Sequence, residues 1–262
     1  MKSRVVVGVA LAVALVAACR PAPQRGRSGR VRVAAAADLQ FALGDLLRRF
    51  EDAHAVDVEV SYGSSGTFYA QLLNRAPFDV FLSADLEYPR QLATRGLTLA
   101  NSEFEYAIGR LVVWVPSSSA LDVEKQGLSA LRSDSIAHVA IASPEHAPYG
   151  RAAVAAMRSA GVYDAVQPKL VFGENVAQAL QFVQSGAADA GMVALSLALA
   201  PTVKSQGRYA EIPIATYPRM AQGGTILKWA GDVESARALR AFVMGTEGRA
   251  ILKEYGFFLP ES

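Results

Sequence analysis

Hydrophobic and polar positions along this chain alternate between two periods. Residues 31–37 read as a buried strand ending in small side chains. From Asp38 the period lengthens, with Leu39, Ala42, Leu43, Leu46, Leu47 and Phe50 on one helical face and Asp45, Arg48, Arg49 and Asp52 opposite. Residues 56–60 alternate apolar and acidic positions, as a half-buried strand does, and 67–74 return to helical spacing. Residues 78–83 then read as strand, and 86–95 as helix closed by Gly96. The order β-α-β-α-β-α predicts a parallel sheet with right-handed crossovers.

Residues 106–115 break this rhythm. They form ten nearly continuous apolar positions with Gly109 inside and Pro116 at the end, long enough to pass from one lobe to another. A second α/β set follows, with strands at 138–142 and 170–172, a short loop and buried strand over 186–194, and helices at 151–160 and 176–183. A second extended segment, 209–218, leads back to a strand at 223–229 and two closing helices. Two crossings and an interrupted first set predict two α/β lobes around a hinged cleft, one lobe of 31–107 plus 217–262 and the other of 108–216. Ligands of such sheets lie at the carboxyl ends of the strands. Four strand-to-helix turns, at 37–39, 63–67, 147–151 and 174–177, are therefore expected to converge on the cleft, two from each lobe.

The turn at Ser61-Tyr-Gly-Ser-Ser-Gly-Thr67 is the most informative of these. A helix starting there presents unpaired N–H groups and the positive end of its dipole. Ser64 and Ser65 add O–H donors, and Gly66 lets a ligand come close to the backbone. That is the chemistry of an oxyanion cradle, although an ordinary N-capping serine gives the same local pattern. A cradle of hydroxyls and N–H groups without lysine or arginine suits a fully ionised oxyanion, which offers only acceptors.

Composition changes the picture mainly at the start of the chain. Lys2 and Arg4 precede the apolar run 5–16 and the sequence Ala17-Ala18-Cys19, the pattern of an export signal over 1–18. It also matches a lipobox that would make Cys19, the only cysteine, the lipidated first residue of the mature chain. Residues 19–30 then read as a Pro/Gly/Arg tether. Beyond residue 30 there are 20 basic and 24 acidic residues, a net charge near −4, so nothing recommends nucleic acid as a partner. The chain length and apolar content suffice for a large core.

Catalytic sets do not assemble. His54, His138 and His146 are scattered without metal-ligand spacing, and Ser64 or Ser65 has no nominated base and no Gly-x-Ser-x-Gly elbow. Asp79 and Asp85 flank a strand, where capping and edge hydrogen bonding explain them better than a catalytic carboxylate pair. A secreted serine hydrolase is the enzymatic alternative.

Five ordered stretches carry a resemblance: Ala34-Ala-Ala-Ala-Asp-Leu39, Tyr62-Gly-Ser-Ser-Gly-Thr67, Ala76-Pro-Phe-Asp-Val-Phe-Leu-Ser-Ala-Asp85, Pro144-Glu-His-Ala-Pro-Tyr-Gly150 and Gly173-Glu-Asn-Val176. From residue 31 to the C-terminus the chain resembles the substrate-binding proteins of molybdate ABC transporters. The resemblance implies a type II periplasmic binding fold and a monomer without cofactor or enzymatic activity. It also implies binding of molybdate or tungstate in the cleft and delivery to a membrane permease and ATPase, from a periplasmic position to which the lipobox adds an anchor through Cys19. Ser65 falls on the family's anion-binding serine, and Val176 and Tyr149 fall on positions that give backbone N–H. Tyr149 is also the phenol expected to donate, because the family's other tyrosine is Ala194 here. The first turn departs from the family: Ala37-Asp38 stands where members carry Ser or a Thr-Asn pair. Asp38 is expected to turn its side chain away to cap its helix and to give backbone N–H only; the alternative is a carboxylate that faces the cleft. In the second case a protonated oxyanion such as phosphate or a phosphonate becomes the alternative ligand. A lipoprotein that keeps the cleft for a signalling or structural role is a further alternative.

Overall fold

A computed structural model describes residues 29–260; the signal, Cys19 and nearly all of the tether lie outside the described residues. Among the described residues ten strands form two five-stranded sheets. In chain order they are β1 (Gly29–Ala36), β2 (Val56–Gly63), β3 (Val80–Ser83), β4 (Phe104–Gly109), β5 (Leu111–Pro116), β6 (Val139–Ala142), β7 (Leu170–Gly173), β8 (Ala190–Ala194), β9 (Gly207–Glu211) and β10 (Met220–Ile226). The first sheet runs β2-β1-β3-β10-β4 and the second β7-β6-β8-β5-β9. Each sheet carries its own helices, so the molecule is two α/β lobes.

The sheets are mixed, where the opening sequence pattern predicts a parallel one. β1 pairs in parallel with β2 and β3, but β10 runs antiparallel to both β3 and β4. The second sheet repeats this arrangement, with β6 parallel to β7 and β8, and β5 antiparallel to β8 and β9. A chain that leaves a sheet and returns from the far lobe has no helical crossover to enforce parallel entry.

The apolar run over 106–115 is two strands rather than one. β4 ends at Gly109 in the first sheet and β5 begins at Leu111 in the second, with Arg110 alone between them. The return passage runs from β9 through a short turn, Ile214–Thr216, into β10, which starts three residues earlier than the predicted strand. Hydrogen bonds tie the two passages together: Ile212 N–H donates to Leu111 C=O at 3.0 Å, and Leu111 N–H donates to the Tyr217 hydroxyl at 3.2 Å. The core is continuous across both lobes, with Phe50, Leu43 and Leu46 of the first helix (Gln40–Ala53) and Trp114 and Leu111 of β5 fully buried.

Candidate oxyanion site

In each lobe two neighbouring parallel strands end side by side. Ala36 of β1 pairs with Gly63 of β2, and Ala142 of β6 pairs with Gly173 of β7. The four turns that follow therefore emerge as two adjacent pairs facing each other. Ala37, Asp38, Ser64, Ser65, Tyr149 and Val176 all line one interlobe cavity of about 10 Å³, roughly one water's worth of space. Neither lysine nor arginine lines it. Among the described residues no cluster of three His, Cys, Asp or Glu side chains is placed to hold a metal ion.

The second turn behaves as its sequence suggests. Ser64 caps the helix Ser65–Leu73, its oxygen accepting from Thr67 N–H at 3.2 Å. Its hydroxyl also lies 3.2 Å from the carbonyl of His146 in the other lobe, to which it can donate. Ser65 is buried, and its oxygen accepts from Ala84 N–H at 2.9 Å. With that acceptor role filled, the Ser65 hydroxyl proton is left for an acceptor in the cavity.

Gly66 serves a different purpose from the close approach of a ligand expected of it. It does not line the cavity; its N–H donates to His146 C=O at 2.9 Å. A Cβ at this position would sit 2.4 Å from that carbonyl oxygen. The glycine lets the two lobes meet backbone to backbone.

On the facing lobe, the helix Pro148–Ser159 opens with Pro148 in its first turn, where a missing N–H costs nothing. The helix Val176–Gln184 is capped by Asn175, whose side chain accepts from Ala177 N–H at 3.1 Å and Gln178 N–H at 3.0 Å. The cap leaves the N–H of Val176 to the cavity. Outside the cavity, Arg151 reaches across to Asp85 at 2.7 Å and to the Tyr88 hydroxyl at 3.2 Å. Asp79 and Asp85 are thus structural: Asp79 accepts from Arg32 and Gly231 N–H, and Asp85 from Glu87 N–H and Arg151.

The first turn overturns the expectation that Asp38 caps its helix. Ala37–Leu39 is a tight 3-10 turn in which no side chain makes a cap hydrogen bond. The Asp38 side chain instead points into a buried polar network, with the residue 1% exposed. Its Oδ2 accepts from Gln222 Nε2 at 2.6 Å and from the Tyr149 hydroxyl at 3.1 Å. Its backbone carbonyl accepts from the Ser196 hydroxyl at 2.7 Å, and Oδ1 has no partner among the described residues. Local capping loses here because three donors from distant segments, two of them in the other lobe, surround the residue. Burial pushes the Asp38 carboxyl up to about 6, against the opposing pull of the Gln222, Tyr149 and own-backbone hydrogen bonds.

Tyr149 is corrected with it. Its phenol donates to Asp38 rather than standing free for an anion, and burial, followed by the Asp38 charge, holds its proton well above the usual range. Gln222 orders both groups: its Nε2 is 3.3 Å from the Tyr149 oxygen, and its Oε1 lies 3.0 Å from the Tyr106 hydroxyl. Gly109 makes room for this cluster, since a Cβ there would lie 2.5 Å from the Tyr149 oxygen and 2.6 Å from Gln222 Nε2. Gln222, Tyr106 and Ser196 escape sequence reasoning. Only the polar Gln222 within the β10 run was a signal, and it names no partner.

The family description "Bacterial extracellular solute-binding protein" matches residues 31–258. The molybdate-binding protein ModA of Azotobacter vinelandii is 37% identical over 233 residues, covering 89% of this chain and 91% of that protein. ModA of Rhodobacter capsulatus is 35% identical, covering 88% of each. The solved structure of the periplasmic molybdate-binding protein of Azotobacter vinelandii superposes with a TM-score of 0.82 at 33% identity, covering 88% of this chain and 100% of that one. With this fold, these four turns and these relatives, the chain belongs to the bacterial extracellular solute-binding proteins and, among them, to the ModA group.

Proposed function

We propose that this protein is the extracytoplasmic substrate-binding component of an ABC importer. It takes molybdate, and tungstate with it, as a tetrahedral dianion in the interlobe cavity and delivers it to a membrane permease and ATPase. The observation that carries this reading is the convergence of four helix-initiating turns, two from each lobe, on one cavity without lysine or arginine. The Ser65 hydroxyl and the Val176 N–H supply donors from opposite lobes. Identity to molybdate-binding relatives supports the same ligand. The role is binding, not turnover: among the described residues no base is hydrogen-bonded to Ser64 or Ser65, whose hydroxyls serve a helix cap and Ala84.

The lobes, 31–107 plus 217–262 and 108–216, rock about the passages at Gly109–Leu111 and 212–218. The cavity is smaller than a tetrahedral oxyanion, so the lobes part to admit one and close through donors from both sides. The protein acts as a monomer, tethered by residues 19–30 to a lipid on Cys19 after removal of 1–18. Among the described residues no helix is long and apolar enough to cross a membrane. A second reading, favoured by an aspartate, Asp38, among the residues lining the cavity, is a protonated oxyanion such as hydrogen phosphate or a phosphonate.

Calorimetric titration of the protein lacking residues 1–18 with molybdate, tungstate, sulfate and phosphate is the direct test. Tight binding of the first two with sulfate and phosphate silent is expected. Phosphate binding with molybdate silent would overturn the ligand in favour of the second reading.

A further inference from the structure

We propose that the site takes its oxyanion together with one proton, carried on Oδ1 of Asp38 and donated to the ligand. This rests on the oxyanion reading above and adds to it a stoichiometric proton and a residue that sets ligand charge.

The geometry leaves the carboxyl one way to coexist with an anion. Oδ2 already receives two donors, from Gln222 and Tyr149. Oδ1 is buried in the same side chain without a partner among the described residues, on a residue that lines the cavity. An ionised Oδ1 would set lone pairs against an acceptor-only ligand, in a space too dry for water to screen the two charges. A protonated Oδ1 becomes a donor, the one kind of partner such a ligand accepts. The missing partner and the repulsion are removed by the same proton.

The surroundings favour the protonated form. Tyr149 from the helix Pro148–Ser159 and Tyr106 from β4 face the carboxyl, and both phenols are held well above their usual range, first by burial and next by the Asp38 charge. Gln222 from β10 and Ser196 from the helix Leu195–Ala198 are neutral. Tyr217, beyond Tyr149, accepts from Leu111 N–H. The cations nearby are engaged elsewhere, Arg110 with Glu211 and Arg151 with Asp85, and the exposed His146 ring lies beside Glu145. Asp38 is therefore the group in this cluster that changes charge near neutrality, already displaced up to about 6 without an anion beside it.

The sign follows from linkage. Below pH about 6 the free carboxyl already holds its proton and affinity is flat; above it, binding draws a proton from solvent and affinity falls about tenfold per pH unit. The proton can arrive on the carboxyl or on the anion, and the complex then contains the same number of protons.

The test is calorimetry with molybdate from pH 6 to pH 8.5, in pairs of buffers with different ionisation enthalpies, on the unmodified protein and on Asp38→Asn. The expected result is uptake of about one proton per molybdate at pH 8 and a roughly 50-fold loss of affinity between pH 6 and pH 8. Asp38→Asn presents a permanently neutral carboxamide, so its affinity should be flat over this range and exceed that of the unmodified protein at pH 8. Molybdate binding by the unmodified protein without proton uptake would overturn the proton while leaving the ligand intact. Weaker binding by Asp38→Asn at pH 8 would do the same. Silence toward molybdate at every pH would overturn both. The proton count needs no variant, so a misfolded Asp38→Asn protein does not remove the test.

Discussion

The first and second turns leave paired strands at paired residues, Ala36 and Gly63, yet they put opposite chemistry on the cavity. The second turn offers the Ser65 hydroxyl, whose acceptor role is met by Ala84 N–H inside its own lobe, leaving its proton for the ligand. The first offers a carboxyl whose hydrogen bonds come from β10 and from the other lobe. Similar backbone geometry thus yields a donor that is complete before the lobes meet and an acceptor that is completed by their meeting. The clasps differ in the same way. The second turn is held to the far lobe by a backbone bond, Gly66 to His146, and nearby by the half-exposed pair Arg151–Asp85; the first is held by the buried Tyr149 and Ser196 hydroxyls.

Three substitutions break or sharpen this contrast. Ser65→Ala should have the largest effect, because it removes a charge-directed donor and strips Ala84 N–H of its acceptor. A hydrogen bond to a charged group is worth about 1.5–3 kcal/mol, so molybdate affinity measured by titration should fall about 10- to 100-fold. Gly109→Ala tests the first turn without touching it. The added methyl meets the Tyr149 oxygen and Gln222 amide, and overpacking of this kind costs about 1–3 kcal/mol, read as a lower denaturant midpoint. Unchanged stability would mean that the phenol and amide are freer than their burial implies. Arg151→Ala should have the smallest effect: a pair at this exposure contributes at most about 1 kcal/mol, so affinity should drop only a few-fold, and less at high salt. A loss as large as that of Ser65→Ala would make the exposed clasp, not the buried one, the main tie between the lobes.

These same elements show what was legible in the sequence. The turns were, because each is a local signal: small residues ending a strand, then a cap such as Ser64 or Asn175 ahead of a helical period. Their convergence was also legible, since alternating elements broken by two passages admit few topologies. The break at Arg110 was not, because an apolar run looks the same whether one sheet or two bury it. Nor was the direction of Asp38. At the start of a helix an aspartate reads as a cap, and what turns it inward is a glutamine 184 residues later and a tyrosine 111 residues later. At Gly66 the absence of a side chain is legible but the neighbour it admits is not, because nothing local announces the His146 carbonyl.

A cradle built of hydroxyls and backbone amides, with no lysine or arginine on its wall, has a kinetic consequence. Such dipoles act over the first turn of a helix and no farther. Beyond residue 30 there are 20 basic against 24 acidic residues, and the four arginines of 19–30 bring the chain from Cys19 onward to neutrality, so no net charge draws a dianion in at long range. Capture is accordingly unsteered. The rate of encounter follows diffusion and how often the lobes stand apart, while selectivity is exercised only after arrival, in how long each anion is kept.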